Sequence, residues 1–296
     1  MMADDAASAR ETVGTRNLEV HLLLEGIFMK YGYDFREYAR ASVKRRLQRS
    51  LEKAGLANLA QLQHRVLHDP AAFEILLRDL FVNVTEMFRD PGLFRAVRDA
   101  LVPELSDRPH LKVWHAGCSS GEEVYSMAII LKEAGLLDRT QIYATDLDEA
   151  VLEQASRGVY PIDRVQEYTA NYHEAGGAES FADYYMARYD SVIMDAILRD
   201  RVVFSTHNLV TDGAFGEMDV IFCRNVLIYF DRELQDRVVR LFLDSLSERG
   251  FLCLGSKESI RFATCAHEFE RFHSEEKIYR KKPLTTPGGD SDAPAA

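Results

Sequence analysis

The 296-residue chain has little of several things that would define a function directly. Its four cysteines, Cys118, Cys223, Cys253 and Cys265, include no C-x-x-C pair, so neither a disulfide framework nor a cysteine zinc site is indicated. It has no excess of positive charge: 47 acidic residues outnumber 36 basic ones, and a formal net charge of −11 argues against a phosphate backbone as partner. No apolar run is long enough to cross a bilayer, and the N-terminus, with Asp4 and Asp5, shows no basic stretch leading into an apolar one. We read a reduced, cytoplasmic protein that takes up no nucleic acid and inserts into no membrane. What is present, 47% apolar and 28% charged residues, is ordinary for a globular chain and excludes disorder, collagen and coiled coil as wholes.

The first 15 residues are polar and Ala-rich, and residues 283–296 lack apolar periodicity, so both read as flexible tails. From about Leu18 to Leu105 the pattern is helical, punctuated at Tyr31-Gly32, Gly55, Asp69-Pro70 and Asp90-Pro91-Gly92. Residues 16–105 are therefore expected to form an all-helical domain. Beyond Pro109 short apolar runs alternate with amphipathic helices, as in a parallel α/β sheet, and residues 106–282 are expected to form that second domain. The runs are Leu111–Trp114, Gln141–Thr145, Val202–Ser205, Val220–Cys223 and Phe251–Gly255. Helices are expected from Glu122 to Ala134 before Gly135, from Asp148 to Ser156, and from an Asp231 cap to Glu248 before Gly250. Residues 160–200 break the rhythm. Phe181–Arg199, rich in Tyr, Val and Ile, reads as antiparallel strands of a small inserted β-subdomain. Phe269–Phe272 and Lys277–Arg280 resemble a closing hairpin.

Chemistry concentrates first in Val113-Trp-His-Ala-Gly117-Cys-Ser-Ser-Gly121-Glu122-Glu123, a strand, a small-residue loop and a helix start. Neither a Walker Gly-Lys-Ser/Thr nor a G-x-G-x-x-G is present, and two carboxylates at the helix start would repel a pyrophosphate. They suit the cationic methionyl part of S-adenosylmethionine, or else only the helix dipole. The next strand ends Ala144-Thr-Asp146-Leu-Asp148, where an acid holds ribose hydroxyls or caps the following helix; two acids allow both. Together these favour a nucleoside without a pyrophosphate, S-adenosylmethionine over NAD. Asp219 to Asp231 places Arg224, Asn225 and Tyr229 at the carboxyl edge of the sheet, either on a ligand or as a surface ion pair and core filler. Asn83 to Pro91 alone reads as a cap with surface charge.

In combination, Asn83-Val-Thr-Glu-Met-Phe-Arg89, Gly117-Cys-Ser-Ser-Gly-Glu-Glu-Val-Tyr-Ser126, Ala144-Thr-Asp-Leu-Asp148, His207-Asn-Leu209 and Phe222-Cys-Arg-Asn-Val-Leu-Ile-Tyr-Phe-Asp231 resemble a CheR-type chemoreceptor glutamate methyltransferase. The resemblance spans roughly Leu18 to Tyr279 in family order. It implies a Rossmann-like class I S-adenosylmethionine-dependent methyltransferase sheet with an N-terminal all-helical domain and an inserted small antiparallel β-subdomain, which in some members docks a receptor tail. It implies cofactor contacts from Asn83, Thr85 and Arg89, from Gly117, Glu122 and Glu123, from Asp146 at the ribose, and from Asn208, Leu209, Cys223 and Arg224 around the adenosyl group. Arg89 and Tyr229 would flank the reacting methyl, and no metal is implied. The chain departs from the family in having His115 where Ser is common, Ser120 where Thr is commoner, and Gly255-Ser-Lys257-Glu258 in place of Gly-His-Ser-Glu. Lys257 bears on substrate fit rather than on the cofactor.

The implied reaction carries a methyl group to a glutamate side chain, giving a glutamyl methyl ester and S-adenosylhomocysteine. A glutamate carboxyl, with a pKa of about 4.3, is already ionised at neutral pH, so no general base is needed and the histidines are assigned no catalytic role. Competing readings are the same chemistry on a receptor-like protein outside chemotaxis, and a non-catalytic cofactor-binding regulator, which intact Arg89 and Tyr229 oppose. A nucleic-acid methyltransferase is opposed by the charge and by the lack of an Asn/Asp-Pro-Pro-Tyr/Phe motif. Arg36, Arg40, Lys44, Arg45, Arg46, Arg49 and Lys53, against Glu37 and Glu52, make a basic island that would dock the Glu-rich cytoplasmic domain of a chemoreceptor. They form no single helical stripe, so an ordinary solvated face is the alternative.

Overall fold

The computed structural model describes residues 2–80, 85–214 and 216–283. Four helices open the chain: α1 (Met2–Tyr31), α2 (Arg40–Ala54), α3 (Leu59–His68) and α4 (Pro70–Leu80). Their ends follow local chemistry. Gly32 and Gly55 stop α1 and α2 at φ 78° and 64°, and the Asn58 side chain caps α3 by accepting the Gln61 amide at 3.0 Å. Because α1 starts at Met2, most of the stretch expected to be a frayed tail is helical, as its alanine content favours. The tail expected at the other end lies, from residue 284, outside the described residues.

Helix α5 (Pro91–Ala96) continues through a wide turn at Val97–Leu101 into α6 (Val102–Leu105). There follow β1 (Leu111–Ala116), α7 (Glu122–Glu133), β2 (Thr140–Asp146), α8 (Glu149–Arg157), β3 (Val159–Pro161), α9 (Val165–Glu174), β4 (Tyr185–Arg188) and β5 (Ser191–Met194). The chain closes with α10 (Ala196–Arg199), β6 (Val202–Thr206), β7 (Met218–Cys223), α11 (Arg232–Ser245), β8 (Leu246–Leu254), β9 (Phe269–Arg271) and β10 (Ile278–Lys281). The main sheet runs β6-β2-β1-β7-β8-β10-β9, parallel from β6 to β8 and antiparallel beyond. All five runs expected from apolarity are strands, and the expected hairpin is β9–β10, pairing Tyr279 with Arg271.

Alternation along the central strands divides the interior. Val113, Val220, Phe222, Phe251 and Cys253 face one core with α5 to α7 and the inserted segment. Trp114, Ala116, Ile221, Cys223, Leu252 and Leu254 face the other, shared by α11 and the four N-terminal helices. The N-terminal helices thus pack through to one face of the sheet.

Two expectations need correction. The last long helix stops at Ser245 instead of reaching Glu248, because Leu246 is buried in register with Met218 and Ser247 donates to Asp219 at 3.2 Å, so sheet pairing overrides the helical pattern. The insert does hold an antiparallel sheet, β3-β5-β4, but also α9 and α10; Asp195 turns the end of the strand-rich stretch into α10 by accepting the Ile197 amide at 3.0 Å. Among the described residues no helix is long and apolar enough to cross a membrane. Tyr160, on β3, ties the insert to the loop after β1 through a buried hydroxyl bond to the Ser120 carbonyl at 2.8 Å. Tyr160→Phe should lower the unfolding free energy in urea by about 1 kcal/mol; unchanged stability would show that the bond contributes nothing net.

Candidate active site

Loops leave the carboxyl ends of β1, β2, β6 and β7 side by side at the point where strand order reverses, where open α/β sheets hold ligands. They border a cleft of about 990 Å³, its open mouth included. The first loop turns at Gly117 (φ 77°), where the Gly117 and Cys118 amides donate to the Thr145 carbonyl at 2.8 and 2.9 Å. A methyl group at Gly117 would strike Val226 of the β7 loop, so glycine is demanded by both dihedral and space.

Asp146, at the end of β2, accepts the Ser119, Leu147 and Asp148 amides at 2.8, 2.8 and 3.1 Å. Burial pushes its carboxyl up and those amides pull against it. A carboxylate offers about four acceptor positions, so capacity remains for a hydroxyl. Asp148 does the other task foreseen for the pair, capping α8 by accepting the Ala150 amide at 3.0 Å.

The electrostatic centre is Arg224, whose side chain is 2% exposed. Its Nη1 donates to Glu123 at 2.8 Å, and its Nη2 to Asp90 at 2.6 Å and to the Arg89 carbonyl at 3.0 Å. His115 Nδ1 meets the other Glu123 oxygen at 2.9 Å while its ring stacks on Phe222. Burial would push the Glu123 carboxyl up; Arg224 and His115 outweigh it and hold it at about 2. Glu123 is therefore an ionised acid in the cleft wall, with a lone pair to spare on each oxygen.

Thr85, Arg89, Gly117, Glu123, Asp146, Asn208, Leu209, Arg224 and Tyr229 all line this cleft. Among the described residues, two expected ones do not join them. Glu122 is turned away, accepting from Ser120 Oγ at 2.8 Å in a buried site that pushes its carboxyl up; neighbours on a helix point about 100° apart, so the two acids do not share a target. Cys223 is the last residue of β7 and alternation points it into the core, where burial raises its thiol. Asn83 lies outside the described residues.

Sequence reasoning missed Tyr38 and Arg46 as cleft residues. Arg46 was placed on the exposed basic island, but it shares the buried face of α2 with Val43, Leu47 and Ser50. Its guanidinium lies 4.3 Å from the centroid of the Tyr229 ring, and Nη1 donates to the Leu80 carbonyl. The β7 loop is pinned to the same region: Ala39 N donates to the Tyr229 carbonyl at 2.7 Å, and Tyr38 packs edge-on against Phe230. A helical hydrophobic pattern containing an arginine at a buried position was the available signal. His207, given no role, also borders the cleft.

A parallel sheet with a glycine turn after β1, acids after β1 and β2 and a cleft at its carboxyl edge defines a class I S-adenosylmethionine-dependent methyltransferase, and the donor set fits that cofactor: Glu123 for a cationic amino group, Asp146 for hydroxyls. The chain belongs to the CheR methyltransferase family, matching its all-alpha domain over residues 18–81 and its SAM-binding domain over residues 83–278. It is similar to Cher3 of Pseudomonas putida, 51% identical over 265 residues, covering 90% of this chain and 97% of that protein. It is also similar to chemotaxis protein methyltransferase 2 of Pseudomonas aeruginosa, 32% identical, covering 81% and 86%. The chemotaxis protein methyltransferase of Vibrio parahaemolyticus is 33% identical, covering 77% and 84%.

Because the folded Glu123 carboxyl lies below its ordinary value of 4.5, its ionised form stabilises the fold at neutral pH, and that contribution fades as pH falls from about 4.5 toward 2. Glu123→Gln should flatten this part of the acid-unfolding curve and weaken S-adenosylmethionine binding at pH 7. Identical acid curves for the two proteins would contradict the assignment.

Proposed function

We propose that this chain transfers methyl groups from S-adenosylmethionine to glutamate side chains of chemoreceptor cytoplasmic domains, forming glutamyl methyl esters in chemotactic adaptation, and that it acts in the cytoplasm. The observation that carries the proposal is one cleft holding an ionised buried acid, Glu123, together with Arg46, Arg89 and Tyr229. The relatives named chemotaxis protein methyltransferases support the same reading.

S-adenosylmethionine, when bound, supplies an electrophilic methyl on a positively charged sulfur. Glu123 would take the amino group, Asp146 the ribose, and Thr85, Gly117, Asn208, Leu209 and Arg224 would complete the pocket. Arg89 and Tyr229 would orient the acceptor carboxylate, already ionised, against the methyl group. An arginine fork suits this task because it donates parallel hydrogen bonds to a carboxylate without removing its charge. Arg46, against the Tyr229 ring in the cleft wall, adds a second cation on the acceptor side. In this scheme residues 16–105 form the acceptor-facing unit and residues 106–282 the cofactor-holding one.

The docking face is narrower than composition suggested. Arg36 is held by Asp34 at 2.8 Å and Glu25 at 3.3 Å, Lys53 pairs with Asp79, and Arg46 is buried. Arg40, Arg45 and Arg49 are exposed and are the residues we assign to a Glu-rich receptor helix. The outer strand β4 offers its edge to a receptor tail.

Radiolabelled methyl transferred to receptor cytoplasmic domains should come off in mild alkali as volatile methanol; base-stable label would sink the ester chemistry. Arg89→Ala should abolish transfer while circular dichroism stays that of a folded chain, and undiminished turnover would remove Arg89 from the mechanism.

A further inference from the structure

The loop after β8 carries a buried acid that the scheme above does not use. Glu258 is 4% exposed, and its carboxylate accepts the Gly255 amide at 2.7 Å and the Asn225 amide at 3.0 Å on Oε2, and the Val226 amide at 2.9 Å on Oε1. Two of these donors open the β7 loop, which sends Arg224, Asn225, Val226, Tyr229 and Phe230 to the cleft. The Leu227–Tyr229 helical turn starts directly after them, so Glu258 does for this turn what an N-cap side chain does for a helix, from a neighbouring strand's loop.

The loop needs holding. Asn225 has φ 60°, a left-handed conformation that asparagine tolerates better than other non-glycine residues and that the loop must still fix in place. Gly255 allows the close approach, because a Cβ there would lie 2.8 Å from Glu258 Oε2 and 3.2 Å from the Asn225 amide. On its far side the loop is tied to the N-terminal helices by the Ala39 amide, which donates to the Tyr229 carbonyl at 2.7 Å. Tyr229 therefore sits between Glu258, which holds the start of the turn, and the Ala39 amide and Gln235 side chain, the latter donating to the Leu227 and Phe230 carbonyls at 2.9 and 3.1 Å.

We infer that Glu258 is a positioning residue for methyl transfer, clamping the β7 loop so that Tyr229 stands where the acceptor reacts. The inference rests on the proposed function. Neighbouring Lys257 is exposed and outside the clamp, so the departure from the family sequence at that position leaves it intact. Glutamine keeps one acceptor oxygen but turns an NH2 toward amides that themselves donate; aspartate keeps the charge on a shorter arm.

The test uses the full chain, with steady-state transfer to a receptor cytoplasmic domain, calorimetric S-adenosylmethionine binding, and amide hydrogen exchange of residues 224–230 without substrate. Glu258→Gln should lower kcat about tenfold or more, leave the cofactor Kd within about threefold, and speed exchange at Asn225 and Val226. Glu258→Asp should restore part of kcat, and this pair serves even where Glu258→Ala fails to fold. Wild-type kcat and exchange in Glu258→Gln would overturn the inference, as would equal losses of kcat and cofactor affinity, which mark general damage. If the wild-type chain makes no methyl ester the functional reading fails, and unchanged exchange in Glu258→Gln would still overturn the clamp by itself.

Discussion

A buried guanidinium organises this site. Arg224 is removed from water and compensated by Glu123 on one side and by Asp90 and the Arg89 carbonyl on the other. An uncompensated charge in that position would cost several kcal/mol, so the segment bearing Arg89 and the helix bearing Glu123 are held in a fixed relation by the need to satisfy it. The fork matters as much as the charge: a planar group with several donors reaches three acceptors on two separate segments at once. The left-handed conformations of Phe88 and Asp90, at φ 54° and 57°, lie in the segment that Arg224 holds.

The rest of the fold delivers groups to this centre. A sheet buried on both faces brings four loop ends together above an apolar interior. The N-terminal helices join the core on one face and come over the cleft with Tyr38 and Arg46, while Phe230 and Tyr229 reach back to meet them. Glu123 and Asp146 on one side of the cleft and Arg46 and Arg89 on the other thus come from different parts of the chain.

Much of this was legible in the sequence where local chemistry decides. Apolar runs marked the parallel strands, glycines marked the ends of α1 and α2, and the acids of Ala144 to Asp148 divided into one at the cleft and one helix cap. Legibility failed where tertiary contacts overrode local pattern. Leu246 left its helix for the sheet, Glu122 and Glu123 parted because helical neighbours cannot share a direction, and Arg46 read as surface because its partners, the Tyr229 ring and the Leu80 carbonyl, are remote in sequence. Glu258 was invisible as a site residue for the same reason, since what it holds is backbone amides of another loop.

The most direct measurement is calorimetric titration of S-adenosylmethionine into the Arg224→Lys variant. Lysine keeps the charge but cannot fork between Glu123 and the Arg89-Asp90 segment. If Arg224 sets the geometry of the cofactor cleft, the variant stays folded by circular dichroism and its Kd rises about tenfold or more, some 1.4 kcal/mol. A folded variant that binds S-adenosylmethionine with wild-type affinity would contradict that role.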